Sequence, residues 1–508
     1  MSYSIYLALA AATAGRCNAA GDWSQDAADL TDALADALQS IRQRVERFQS
    51  NPVTPLASAQ FEKDLQLAAR ELARLSVQWT YNHLEPAELS ALPQEVRCQG
   101  STFRRLGQKT PQQVSTLFGP ITLRRTGYRA AATEGEPVLF PLCRQLGLVH
   151  AASPAVLECV GRYQAGAGAT QRQTLQRLRS EHGLSWGVKR LRQVSDLLAE
   201  AVGQHRQQVQ AEQVLHWLEQ AQTSQGRHRP VLAVGRDGIT LGIRIKGGAI
   251  YEVATTATLS VYDRSDRRLG TVYLAYTPEP NQTTMSAQLT ALILEVLRRW
   301  GGPLPRLSYV TDAGDNETAY YRRVLRRLRH PVSGKRLAWQ WVVDYYHASL
   351  RLTTLAEALF GAGQRAWAWT RKMQKVLLKP GGVGRVLHSA AALRSRYQPR
   401  GKRLKEFRQA YRYLQQRRQH LRYAAYRRLG VPIGSGVTEA ACKTVYGQRL
   451  KLSGMRWQKA GAQTILTLRV LLLSGVWSQA FERTLKEDTE VIVRTPGQQE
   501  PADARKPA

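Results

Sequence analysis

Acidic residues are the scarce class in this chain. Across 508 residues, 39 Asp and Glu stand against 72 Lys and Arg, a formal net charge of +33. Such an excess attracts polyanions; nucleic acid is the commonest large one, and an anionic membrane face is the other surface of that sign. Cysteine is nearly as scarce. Cys17, Cys98, Cys143, Cys159 and Cys442 are odd in number and never form a C-x-x-C pair, which argues against a disulfide framework and a zinc knuckle and fits a reducing cytosol. Long apolar runs are missing too. No segment approaches the roughly 20 apolar residues that cross a bilayer. The opening MSYSIYLALAAATAGRCNAA has a short apolar run but no basic leader, so it reads as an N-terminal helix rather than a signal peptide. The expectation is a soluble cytoplasmic protein without a membrane partner. What is present suffices for a folded chain: 43% hydrophobic residues and 11 Trp can build cores, and the length suggests about three domains.

Periodicity divides the chain. Residues 1–100 space apolar side chains by threes and fours and read as a helical region. Residues 101–150 form a small β-containing segment, with two short strands predicted around the Gly-Pro of QVSTLFGPITLRRTGYRA. The stretch 151–228 is helical; one helix stops at Gly183 and Ser185 can cap a second. That spacing is shared by a helix-turn-helix, with Lys189 and Arg190 placed for a major groove, and by a plain helical hairpin. From 229 to 347 the period becomes two: three strands, then helix, strand, helix, strand, an order that builds a mixed sheet with helices on its faces. The region 348–432 has no strand pattern and reads as a helical insertion, after which 433–485 supplies the last helices, ending in one long apolar helix. The tail 486–508 is polar and is expected to be disordered.

Three acids stand out because the coarse fold gathers them. Asp237 lies inside an apolar strand, where an ionised group needs a partner or a metal. Asp312 ends the strand LSYV, and Glu439 follows the glycine-serine-glycine turn of GVPIGSGVTEAACKTVYGQRLKLSGMRW. The plain alternative for Glu439 is an ion pair with Lys443 one turn on. Phosphodiester chemistry gives a reason for carboxylates in so basic a chain: divalent ions activate the attacking oxygen and stabilise the leaving one, and magnesium needs only a few hard oxygen ligands.

GRDGI, VTDAG, WVVDYYHASL and the glycine-serine-glycine motif, in that order, resemble a bacterial insertion-sequence transposase of the DDE type, closest to the ISKra group. The likeness runs from about 230 to 480. It implies a ribonuclease-H-like α/β fold interrupted by the helical insertion, and metal-dependent DNA cleavage followed by strand transfer. It implies that Asp237, Asp312 and Glu439 hold two Mg2+ ions, with Mn2+ able to substitute. It gives His347 one of two roles, touching the scissile phosphate or locking Asp344. The partners implied are terminal inverted repeats and target DNA, bound by a homo-oligomer, a dimer on DNA. Asp315 and Glu317 read instead as first-turn acids of a helix. Related proteins often carry paired cysteines after a strand like ITLRRTGYR; this chain has none there, so no structural zinc is expected.

Cations mark the expected DNA path. Residues 321–330 carry five Arg, Arg322 and Arg326 among them, and 394–428 hold thirteen Lys or Arg, including Arg417 and Arg418, against the single acid Glu406. Tyr397, Phe407, Tyr411, Tyr413, Tyr423 and Tyr426 interleave the latter and suggest base stacking, against a solvated face with core tyrosines. Lys443, Arg449, Lys451, Arg456 and Trp457 follow Glu439 and are placed to grip the cut strand. Two other readings stay open: a nuclease or resolvase of the same fold without joining, and a DNA-binding protein without catalysis.

Overall fold

The computed structural model describes residues 23–98, 101–130, 138–487 and 492–493. The N-terminal apolar run, the segment 131–137 after the third strand, and nearly all of the tail lie outside those residues. The described chain forms two compact units, one built from residues up to 161, 170–195 and 484 onward, the other from 162–169 and 196–483.

The first unit contains α1 (Trp23–Gln49) and α2 (Pro55–Asn82), then β1 (Glu95–Cys98), β2 (Ser101–Thr116) and β3 (Gly119–Ala130). The two strands expected to be short are 16 and 12 residues long. Their turn is Leu117–Phe118 rather than Gly-Pro, because Thr116 pairs with Gly119 and its hydroxyl donates to the Gly119 carbonyl at 2.7 Å. Within the tail, β9 (Ile492–Val493) pairs antiparallel with β1. Short helices α3 (Pro141–Gln145) and α4 (Pro154–Ala165) lead to α5 (Gln171–His182) and α6 (Val188–Thr223). A capping box at Thr170 starts α5, and left-handed Gly183 (φ 66°) ends it. Ser185 caps nothing: the second helix opens at Val188 and runs 36 residues.

The second unit is a mixed α/β layer structure. Its strands are β4 (Val231–Ile245), β5 (Gly248–Tyr262), β6 (Arg268–Tyr276), β7 (Arg306–Thr311) and β8 (Trp339–Val343), arranged β6-β5-β4-β7-β8. The first three are an antiparallel meander; β7 and β8, joined through α8 (Asp315–Arg323), add parallel to β4. Alternation sorts the faces. Leu232 and Val234, with Leu259 and Val261, pack under Leu289, Ile293 and Val296 of α7 (Thr283–Arg299). Farther along the β4–β5 ribbon, Leu241, Ile243 and Ala254 pack against Val445, Tyr446 and Leu466.

Between β8 and residue 436 the structure is helical throughout: α9 (Tyr345–Phe360), α10 (Gln364–Leu377), α11 (Gly382–Tyr397), α12 (Gly401–Gln416) and α13 (Tyr423–Arg428). After α14 (Gly436–Ala441) comes one π-helical turn, Cys442–Gly447. The terminal apolar stretch, read as one helix, is two: α15 (Lys459–Leu473) and α16 (Trp477–Glu487) bend by 113° at Ser474–Gly475, where Gly475 is left-handed (φ 71°). No single described helix is long and apolar enough to cross a membrane.

Candidate active site

Sheet register assembles the site. Gly235 pairs with Val310 and Val310 with Val342; two residues further along these parallel strands stand Asp237, Asp312 and Asp344. Three aspartates thus line up across β4, β7 and β8, at the ends of β7 and β8, where ligands of open α/β sheets collect. The chain leaves β7 through Ala313, a buried non-glycine residue held left-handed (φ 62°), strain of a kind that collects at working sites.

Gly235 brings the fourth acid close. A Cβ there would lie 1.9 Å from the Thr438 hydroxyl and 2.8 Å from that of Thr258. With glycine, Thr438 settles onto the strand and shares a 2.8 Å hydrogen bond with Thr258, which seats α14 and its neighbour Glu439 over the sheet. Cys442, one turn on, directs its thiol to Asp237 at 3.4 Å. Burial, with Asp237 beside it, pushes that thiol up to about 12, so it stays a donor.

Asp344 is the hub. It is fully buried and accepts the His347 backbone N–H at 2.7 Å, the Ser435 hydroxyl at 2.8 Å and the Ser435 backbone N–H, while the His347 ring Nδ1 stands 3.3 Å away. Burial pushes this carboxyl up, but the hydrogen bonds from His347 and Ser435 outweigh it and hold it below the ordinary value. His347 Nδ1 also lies 3.4 Å from Glu439 Oε1, which accepts the Ser435 hydroxyl at 3.2 Å. The bond to Asp344 raises His347 above its ordinary value against burial, and the charges of Asp344, Asp312 and Glu439 add to the rise.

Asp344, His347 and Glu439 therefore offer ligand atoms within 4.8 Å of one another, a set that could hold a metal ion. The sequence expectation gives the metal to Asp237, Asp312 and Glu439; the close trio shares Glu439 with that set. Asp237 and Asp312 fall outside this close trio, and Glu439 faces His347 because its helix is anchored through Ser435 on Asp344. The two aspartates nonetheless belong to the same field. Burial lifts Asp237 above its ordinary value, and the charges of Asp312 and Glu439 add to it. Glu317, read from sequence as a first-turn acid, is 7% exposed and raised to about 7 by burial, with Asp312 and Asp237 contributing. Asp344 and Glu317 are the residues that sequence reasoning undervalued. The D-x-x-H spacing was the available signal for the first; nothing local marks the second.

The pair Asp344–His347 titrates with defined sign. A raised His347 stabilises the fold below its unfolded value, about pH 6.5, and that contribution goes as pH rises through its folded value. A lowered Asp344 contributes above about pH 3.9 and is lost as pH falls through its folded value. Metal binding needs neutral imidazole, so Mn2+ affinity is expected to strengthen from about pH 6 to about pH 8. Titration calorimetry checks this; affinity that is flat across that range would exclude His347 as a ligand.

The predicted DNA-contacting residues separate into three groups. Lys189, Arg322, Arg326, Arg418, Lys443, Lys451 and Arg456 are exposed. Arg190, Arg449 and Trp457 are committed to packing instead. Arg190 donates to the carbonyls of His150 and Ala151 at 2.9 and 3.0 Å and lies over Trp186. Arg449 is 1% exposed, donates to the Gln164 carbonyl at 2.7 Å and stacks over Trp457, whose indole donates to the Leu450 carbonyl. Arg417 is intermediate: it donates to the Ala313 carbonyl at 3.0 Å, beside Asp312.

The interleaved aromatics divide between surface and core: Tyr397 is 40% exposed. Phe407, Tyr423 and Tyr426 are buried. Tyr413, Tyr423 and Tyr426 donate to the carbonyls of Asp312, Val343 and Trp341, tying the helical segment to the strand ends that carry the acids. No family model matches this chain, and no curated protein matches it.

Proposed function

We propose that this chain is a metal-dependent DNA strand-transferase of the DDE transposase type. The observation that carries the reading is the row Asp237, Asp312 and Asp344 under Glu439 and His347, in a chain of net charge +33. Numbered within the unit, the strand order is 3-2-1-4-5 with only the second strand antiparallel to the first, fourth and fifth, an arrangement that favours a ribonuclease-H-like core. On this reading the helices from α9 to α13 are an insertion between the last strand and the helix of Glu439.

The donors suit a divalent ion. Carboxylate oxygens favour Mg2+ or Mn2+, and one imidazole nitrogen shifts the preference toward Mn2+. When bound, such ions polarise the phosphodiester and lower the pKa of the attacking oxygen. The chain's own residues do the rest. Asp344 holds His347 and the start of α14 in place, and Ser435 orients Glu439. Exposed Lys443, Lys451 and Arg456 take up phosphate charge that the acids would otherwise repel.

The test uses labelled duplexes from the DNA flanking the coding region, with Mn2+ or Mg2+ and a chelator control. Wild type should release 3′-hydroxyl ends only with metal, and should join pre-cut 3′-hydroxyl ends to a plasmid. Asp237→Asn should lower both by at least about a hundredfold. Cleavage without joining would mean a nuclease of the same fold; no metal-dependent product would remove the enzymatic reading.

A further inference from the structure

Beyond Gly235, β4 leaves its parallel neighbour and continues with β5 as a two-stranded ribbon to a tight turn at Lys246–Gly247, with Gly247 left-handed (φ 85°). The ribbon's inner face is anchored, because Leu241, Ile243 and Ala254 are buried. Its flank is braced as well, since the Arg244 N–H donates to the Trp457 carbonyl at 2.8 Å and the Trp457 N–H to that of Gly242 at 3.1 Å. Among the described residues the outer face has no such cover. Tyr251 is 77% exposed and Val253 50%, both on the side that cross-strand pairing gives to Thr240, Gly242 and Arg244. Arg244 and Lys246 are exposed beside them. The nearby acid, Glu252, is paired with Lys459 at 2.8 Å.

We infer that this ribbon tip is a DNA-groove contact, with Arg244 and Lys246 on flanking phosphates and Tyr251 and Val253 against the groove wall. The inference rests on the DNA reading above and adds where the duplex runs. A major groove admits a two-stranded β-ribbon, and uncompensated cations at the tip match the sign of its phosphate rims. Ile245 stands eight residues beyond Asp237, a reach of about 26 Å at 3.3 Å per strand residue. At about 3.4 Å per base pair that distance is about eight base pairs, so the ribbon grips the duplex well away from the bond facing the acids.

The experiment compares full-length wild type, Tyr251→Ala and the double variant Arg244→Ala/Lys246→Ala on a fluorescein-labelled 40-base-pair duplex, by anisotropy over a salt series. Each phosphate contact contributes about −0.9 to the log–log salt slope, so the double variant should lose about two units of slope and about tenfold in affinity. Tyr251→Ala should weaken binding about fivefold at unchanged slope, as expected for a contact that carries no charge. The tip variants should melt with wild type because the altered side chains are exposed. Wild-type affinity and slope in the tip variants would overturn the ribbon proposal and leave DNA binding standing. Wild type that fails to bind duplex would overturn both. Tip variants that change sedimentation mass but not DNA affinity would reassign the face to self-association and overturn the proposal too.

Discussion

Glu439→Gln is expected to lower metal-dependent strand cleavage by about a thousandfold or more while duplex affinity stays within about twofold. The side chain is 40% exposed and makes one hydrogen bond, with Ser435, besides its approach to His347, so an amide of the same shape costs the fold little. What it loses is charge: one of the two carboxylates of the close trio becomes a neutral ligand. Asp344→Asn separates this loss from a structural one. Its amide would turn an N–H toward donors that now point at Asp344, the Ser435 N–H and hydroxyl, in a fully buried place. That variant should lose cleavage and also about 2–3 kcal/mol of stability, read from denaturant melts beside the kinetics. Full cleavage by Glu439→Gln would remove the glutamate from the chemistry.

The second large effect concerns a residue with no functional group. Gly235→Ala places a methyl 1.9 Å from the Thr438 hydroxyl and 2.8 Å from that of Thr258, closer than either atom can accept. Strand and helix must part, at a cost of about 3 kcal/mol, or about 5 °C in melting temperature for a unit of this size. A shift of about 1 Å in the helix of Glu439 should cost about a hundredfold in cleavage. Thr438→Ala removes the nearest obstructing atom, so the double variant should recover part of both losses, though Thr258 then keeps a buried hydroxyl without its partner. If Gly235→Ala melts and cleaves like wild type, the close approach does not set the position of Glu439.

Much of the second unit was legible in the sequence because its signals are local. VLAVGRDGITLGIRI, RLSYVT and WQWVV announce themselves by period and β-branching, and Asp237, Asp312 and Glu439 were visible as acids in unexpected settings. Residues whose meaning depends on what packs against them were not legible. Arg449 and Trp457 look like strand-gripping residues from their neighbours, yet Arg449 stacks over Trp457 and donates to the distant Gln164 carbonyl, while the Trp457 indole donates to that of Leu450. Tyr413, Tyr423 and Tyr426 alternate with cations as stacking residues would; their hydroxyls instead reach strand ends some 80 to 100 positions earlier. Asp344 reads as half of a short motif, and its role as hub depends on Ser435, 91 residues later. The break at Gly475 is hidden for a related reason: the apolar pattern continues through it.

One pair of bonds ties mechanics to chemistry. Tyr413 holds the carbonyl of Asp312 and Arg417 that of Ala313, so both ends of the contorted peptide after the fourth strand of this unit are fastened to the end of α12. The outer side of the same helix presents Lys402, Lys405, Arg408 and Arg412 to solvent. The placement of this helix, cations outward, thereby fixes the backbone that carries an acid of the row, with two hydrogen bonds as the hinge pins.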